Sequence, residues 1–221
     1  MTSQPLVLGF DTSGPYISAV LLRGSDVLSE HYEDMPRGQG EALFPRLEEL
    51  LKSGGVGWQD LDALGVGVGP GNFTGIRISV SAARGLALSL EIPAVGVSLL
   101  DALALGMDGP VLSCLEAPRS QAYIQGTGMA VDIPAQFLSI EDVPRSWTQP
   151  GLTCIGSAAV PVAARLGAEL APAVFAPGSA VARLAARRWQ ENLPPPAPLY
   201  LKPADAAPAR DLPPVMLDDD A

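Results

Sequence analysis

Histidine occurs once in the 221 residues, at His31, and cysteine twice, at Cys114 and Cys154. A single imidazole rules out any metal centre that needs two histidines, and it argues against a zinc hydrolase or a Ser-His-Asp arrangement. His31 reads as a half-exposed strand residue. Two cysteines are too few for a disulfide framework, and neither belongs to a C-x-x-C pair of the zinc-binding or redox kind, so a reduced cytoplasmic setting is expected. No segment approaches the ~18 to 20 uncharged apolar residues of a membrane span. Asp11 interrupts the apolar run that starts at Leu6, so no secretory leader is expected. Basic residues are scarce as well: 14 Lys and Arg stand against 24 Asp and Glu, for a net charge of −10. The cations are scattered, which argues against a sequence-independent grip on nucleic acid.

What the chain does have is apolar mass: 48% of residues are hydrophobic, enough for one large domain or two small ones. LVLGFDTS (Leu6 to Ser13), ISAVLLRG (Ile17 to Gly24) and VLSEHYED (Val27 to Asp34) are separated by Gly14-Pro15 and Ser25-Asp26, the pattern of a three-strand antiparallel meander. Leu43, Leu47, Leu50 and Leu51 recur at helical spacing over Glu41 to Lys52, with Pro45 expected near the first turn and Ser53-Gly54-Gly55 as the stop. LDALGVGVG predicts a buried strand, Thr74 to Leu90 a second helix, and Ala94 to Val97 a short strand. The second half is less regular. Val111 to Ala117 and Gln121 to Met129 read as paired strands, Leu152 to Gly156 as another, and Ala180 to Gln190 as a helix capped by Ser179. No tandem repeat is legible. Three parts follow: a first lobe over 1–103, a smaller α/β lobe over 104–202, and a Pro-rich acidic tail over 203–221 expected to be extended or disordered.

Two stretches carry polar groups that chemistry could use. The turn Asp11-Thr12-Ser13-Gly14 gathers a carboxylate, two hydroxyls and backbone amides; such parts handle phosphate and magnesium, and they are equally ordinary turn residues. The loop Gly65 to Gly75 leads into a helix with Asn72 or Thr74 as cap. After Gly69 and Gly71 the third glycine comes at Gly75, one place late for a dinucleotide fingerprint, and no Gly-Lys-Ser or Gly-Lys-Thr follows. An anion site and close strand–helix packing both remain open for it. Farther along, Gly75, Ser79, Ala82, Ala83 and Gly85 leave a helix face with almost no bulk, which a neighbouring helix can approach closely, while Ile76, Val80, Leu86 and Leu90 supply apolar contacts.

GPGNFTGIRIS (Gly69 to Ser79), preceded by FDTS and followed by LALSLEIPAVGVSLLDALA, resembles the bacterial TsaB (YeaZ) family. The resemblance is close over about the first hundred residues. Beyond them it rests on EAPRSQAY (Glu116 to Tyr123) and LYLKP (Leu199 to Pro203). It implies an α/β fold of the actin/Hsp70/sugar-kinase (ASKHA) type, with two related lobes of which the second is degenerate. It further implies a part in making N6-threonylcarbamoyladenosine at tRNA position 37, as the non-catalytic partner of TsaD, with TsaE as the associated ATPase. Gln39 stands where the family usually has a histidine, Asn72 for Ser, Ser79 for Gly, and Glu116 and Pro118 for Asp and Arg.

TsaD holds its metal through a His-x-x-x-His pair that this chain lacks, and no second Asp-x-Gly hairpin stands where EAPRS does. The resemblance therefore implies a scaffold or activator: no intrinsic metal or cofactor, nucleotide (ATP or ADP) only at the interface of the complex, a homodimer when alone. The expected partner face comprises Leu43, Phe44, Leu47, Leu51, Ile76, Ser79, Ala82, Ala83 and Leu86; Asp11, Thr12, Ser13, Gly69, Gly71 and Thr74 form a vestigial phosphate site. The rival reading is a small-molecule kinase or ATPase of the same superfamily that uses Asp11 and the Gly69 to Gly75 loop.

Overall fold

The computed structural model describes residues 4–202. The expected meander forms: β1 (Leu6–Asp11), β2 (Tyr16–Arg23) and β3 (Asp26–Asp34) pair antiparallel. Two further strands, β4 (Ala63–Gly67) and β5 (Ala94–Val97), add in parallel beyond β1, giving the order β3-β2-β1-β4-β5. β1 is buried throughout because both faces of the sheet are covered. Leu6, Leu8 and Phe10 pack with α1 (Gln39–Ser53) and α2 (Phe73–Leu90), while Val7 packs with α5 (Pro177–Arg188) on the opposite face. β3 is the edge strand, and His31 lies on it half-buried beside Glu33, as expected.

The second sheet repeats the plan. β6 (Val111–Ala117), β7 (Gln121–Thr127) and β8 (Ile133–Ser139) form an antiparallel meander, and β9 (Thr153–Ile155) and β10 (Glu169–Leu170) add in parallel beyond β6. α4 (Ala159–Leu166) joins β9 to β10 as α2 joins β4 to β5. Between β8 and β9, where the first lobe has α1, only two short 3-10 turns occur, at Ile140–Asp142 and Arg145–Trp147. The fold is thus two related lobes with a reduced second one, although the sequences of the halves show no repeat.

Several expectations need correction. The helix after each sheet's last strand crosses over: α3 (Leu99–Ala104) packs on β6 and α5 packs on β1, β2 and β4. Each of these two helices thus packs against the sheet of the other half of the chain. α5 approaches β1 so closely that a Cβ on Gly9 would lie 2.5 Å from Ala182 Cβ. It begins at Pro177, not Ala180, and Ser179 is a buried residue of its first turn, not the cap. The Gly178 N–H is met by Ser18 Oγ at 2.9 Å, from a strand 160 positions earlier. Pro45 sits in the second turn of α1, because the helix starts at Gln39. Pro45 and Glu41 share the exposed face, where water can serve the carbonyl that lacks a donor. β8, β10, α3 and α4 went unread. The 203–221 tail lies outside the described residues.

Candidate functional site

The C-terminal ends of parallel strands are where an open α/β sheet presents its ligands. Here β1 ends at Asp11 and runs on into Thr12 and Ser13, all three buried, and β4 runs on into the glycine loop. The structure brings the two together and bonds them to each other. Asn72 N–H donates to Ser13 O (2.7 Å), and Thr12 Oγ1 donates to Gly75 O (2.7 Å). Asn72 is the helix cap, its Oδ1 accepting from Gly75 N–H at 2.9 Å. Any Cβ at Gly75 would collide with the Thr12 carbonyl, and one at Gly71 would lie 2.6 Å from Ser13 O. Gly69 takes a φ of 92° and faces Ile76, and Thr74 stands exposed. Close packing thus accounts for the glycines, and the hydroxyl, amide and carbonyl groups named here are engaged within the protein.

Gln39 completes this arrangement and was not anticipated. Its side-chain amide is buried at the start of α1 and donates to three carbonyls of the hairpin turn: Gly14 O (2.7 Å), Tyr16 O (2.9 Å) and Thr12 O (3.3 Å). The departure from the family's histidine was the sequence signal that this position mattered.

Asp11 is the exception to mutual satisfaction. Its Oδ2 accepts from Tyr16 OH (2.8 Å), Ser13 Oγ (2.9 Å) and Ser13 N–H (3.3 Å), while Oδ1 faces Gly67 without a hydrogen-bond partner. Burial raises its pKa above the ordinary carboxylate value, and the hydrogen bonds from Ser13 and Tyr16 oppose the rise without cancelling it. The folded state thus keeps this proton to higher pH than the unfolded state does. The resulting stabilisation is full below the unfolded value and is lost as pH rises through the folded value. Asp11→Asn keeps the shape and cannot ionise. The stability of the natural protein relative to this variant should therefore fall as pH rises above the ordinary aspartate value of about 4. Urea unfolding across that value checks it, and a relative gain with rising pH would contradict the assignment.

In the second lobe the topologically equivalent turn, between β6 and β7, differs in kind. Glu116, Pro118, Arg119 and Ser120 are exposed, with no buried carboxylate, and Arg119 and Ser120 adopt positive φ of 64° and 55°. Among the described residues no group of three or more His, Cys, Asp or Glu is placed to hold a metal ion. No helix among them is long and apolar enough to cross a membrane.

The helices α1 and α2 divide the expected partner face in two. Leu43, Leu47, Leu51, Ile76, Ser79 and Ala83 are at most 2% exposed and belong to the first-lobe core or its hydrogen bonds. The remaining three, Phe44, Ala82 and Leu86, line an open groove with Gly40, Ile78, Ser81 and Gly85, and Leu43 contributes to its lining. The groove has a volume of about 580 Å³. The reason is geometric: Gly75, Ser79 and Ala83 recur every four residues on the side facing the hairpin and sheet, while Ala82 and Gly85 lie about a quarter-turn away, facing out. A sequence reading merges the two stripes into one broad face. Phe44 lies 6.5 Å from Trp58, ring centre to ring centre, so the groove is flanked by an aromatic pair.

A family model described as TsaD, tRNA N6-adenosine threonylcarbamoyltransferase, matches residues 33–139, just under half of the chain. The tRNA threonylcarbamoyladenosine biosynthesis protein TsaB of Escherichia coli is 35% identical over 122 residues, 53% of this chain and 52% of that protein. The chain's match thus spans about half the length of that curated relative. An uncharacterized protein of Mycobacterium tuberculosis is 32% identical over 216 residues, 91% of this chain and 94% of that protein. Among solved structures, YeaZ from Pseudomonas aeruginosa superposes with a TM-score of 0.73 at 27% identity, over 89% of this chain and all of that one.

Proposed function

Because the chain belongs to the TsaB (YeaZ) family, we propose that it acts in tRNA threonylcarbamoyladenosine formation as a non-catalytic subunit that docks the catalytic subunit TsaD in the α1–α2 groove. The observation that carries this reading is an uncovered apolar groove between α1 and α2, beside the ends of β1 and β4, whose polar groups are nearly all bonded to one another. Packing of a helix into such a groove uses the ridges and small residues that Ala82 and Gly85 provide. In the absence of TsaD a second copy takes the same face, giving a homodimer. The ATPase TsaE joins through the assembled pair, and any nucleotide binds at the shared interface rather than within this chain. With a net charge of −10 the chain leaves tRNA contacts mainly to its partner, and the cytoplasm is the setting for the work. Calorimetric titration of the purified chain with TsaD tests the reading; absence of heat and of co-sedimentation at micromolar concentration would contradict it.

The buried, unpartnered Asp11 Oδ1 favours a second reading, a small-molecule kinase or ATPase. The two part company on turnover. The scaffold reading expects no ATP hydrolysis above the buffer rate by the isolated chain and no stoichiometric metal after chelator washing. Turnover that Asp11→Ala abolishes would instead establish the enzyme.

A further inference from the structure

The motif Leu199-Tyr200-Leu201 touches both lobes. Leu199 N–H donates to Val68 O at 2.8 Å, just past the end of β4, and its side chain joins the core under α1 and α2. Tyr200 stacks on Phe73 with ring centres 5.3 Å apart and planes inclined by 27°. Arg77 sits 3.8 Å over the other partner of that stack, Phe73, and its Nε donates to Tyr200 OH at 2.9 Å. Leu201 packs in the second lobe with Leu100, Ala117 and Tyr123. Three consecutive residues are therefore fixed by a backbone hydrogen bond, a π-stack with a cation, and an apolar contact, on three different elements.

We propose that residues 199–201 form a strap tying the second lobe to the first turn of α2, so that the pose of the helix lining the groove depends on the second lobe. Tyr200 holds the first-lobe end and Leu201 the second-lobe end. A contact of merely local value would loosen only its own end when deleted, whereas a strap under load loosens both. This inference concerns the chain alone and holds whatever occupies the groove.

Hydrogen exchange by mass spectrometry on full-length Tyr200→Ala and Leu201→Ala tests it. Each variant is expected to raise exchange about tenfold both in residues 76–80 of α2 and in β7, with β1 and β9 unchanged. Tyr200→Phe deletes only the hydroxyl and should give a smaller rise at the same two places, which covers the case of an alanine variant that fails to fold. Exchange that rises only at the mutated residue's own contacts, that rises uniformly in all three variants, or that does not change would overturn the strap.

Discussion

Ala82→Arg is expected to leave the chain folded and to weaken its association with TsaD, or with a second copy, by at least about 100-fold. Ala82 lies half-buried on the wall of the α1–α2 groove, and its neighbours Ser81 and Gly85 are exposed. In the free chain an arginine there can extend into solvent, so the fold loses little. In a docked state the same guanidinium would have to be accommodated between closely packed helices where an alanine methyl stood. Circular dichroism checks the fold and sedimentation velocity the assembly. A folded variant that assembles with unchanged affinity would move the interface elsewhere.

The largest effect on stability is expected at Gln39. Replacing it by leucine removes the donor shared by three turn carbonyls at once, the Thr12 carbonyl buried and those of Gly14 and Tyr16 partly so. An unmet acceptor costs about 1 to 3 kcal/mol when fully buried, and two of the three are only part-buried, so a loss of about 2 kcal/mol is the expected total. Urea unfolding of Gln39→Leu measures it. A change within about 0.5 kcal/mol would mean that the turn holds its shape without the amide.

The first lobe was legible because its signals are local. Apolar runs broken by Gly14-Pro15 and Ser25-Asp26 give the meander, and leucine spacing gives α1. The second lobe speaks more quietly. α4 is eight residues long, begins without a side-chain cap and contains Pro161; β8 carries Pro134 at its second position. Such elements are stabilised by tertiary packing rather than by their own pattern, as Ala159, Val162, Ala163 and Leu166 show by joining the core of the second sheet. At the candidate site the residue types were legible and their sides were not. Nothing in the spacing of Ser79, Ala82 and Ala83 tells which of them faces the hairpin, because that depends on where β1 and its turn lie. The same holds for Gln39, whose value comes from three carbonyls at least 23 positions away in the chain.

The central claim, that α1 and α2 together form the docking face, is most directly tested by an exchange footprint of the full chain with and without TsaD. Protection on binding should concentrate in residues 40–48 of α1 and 78–86 of α2, with the turn at Asp11 to Gly14 unaffected. Protection that instead falls on that turn and the glycine loop, with 40–48 and 78–86 unchanged, would contradict the account.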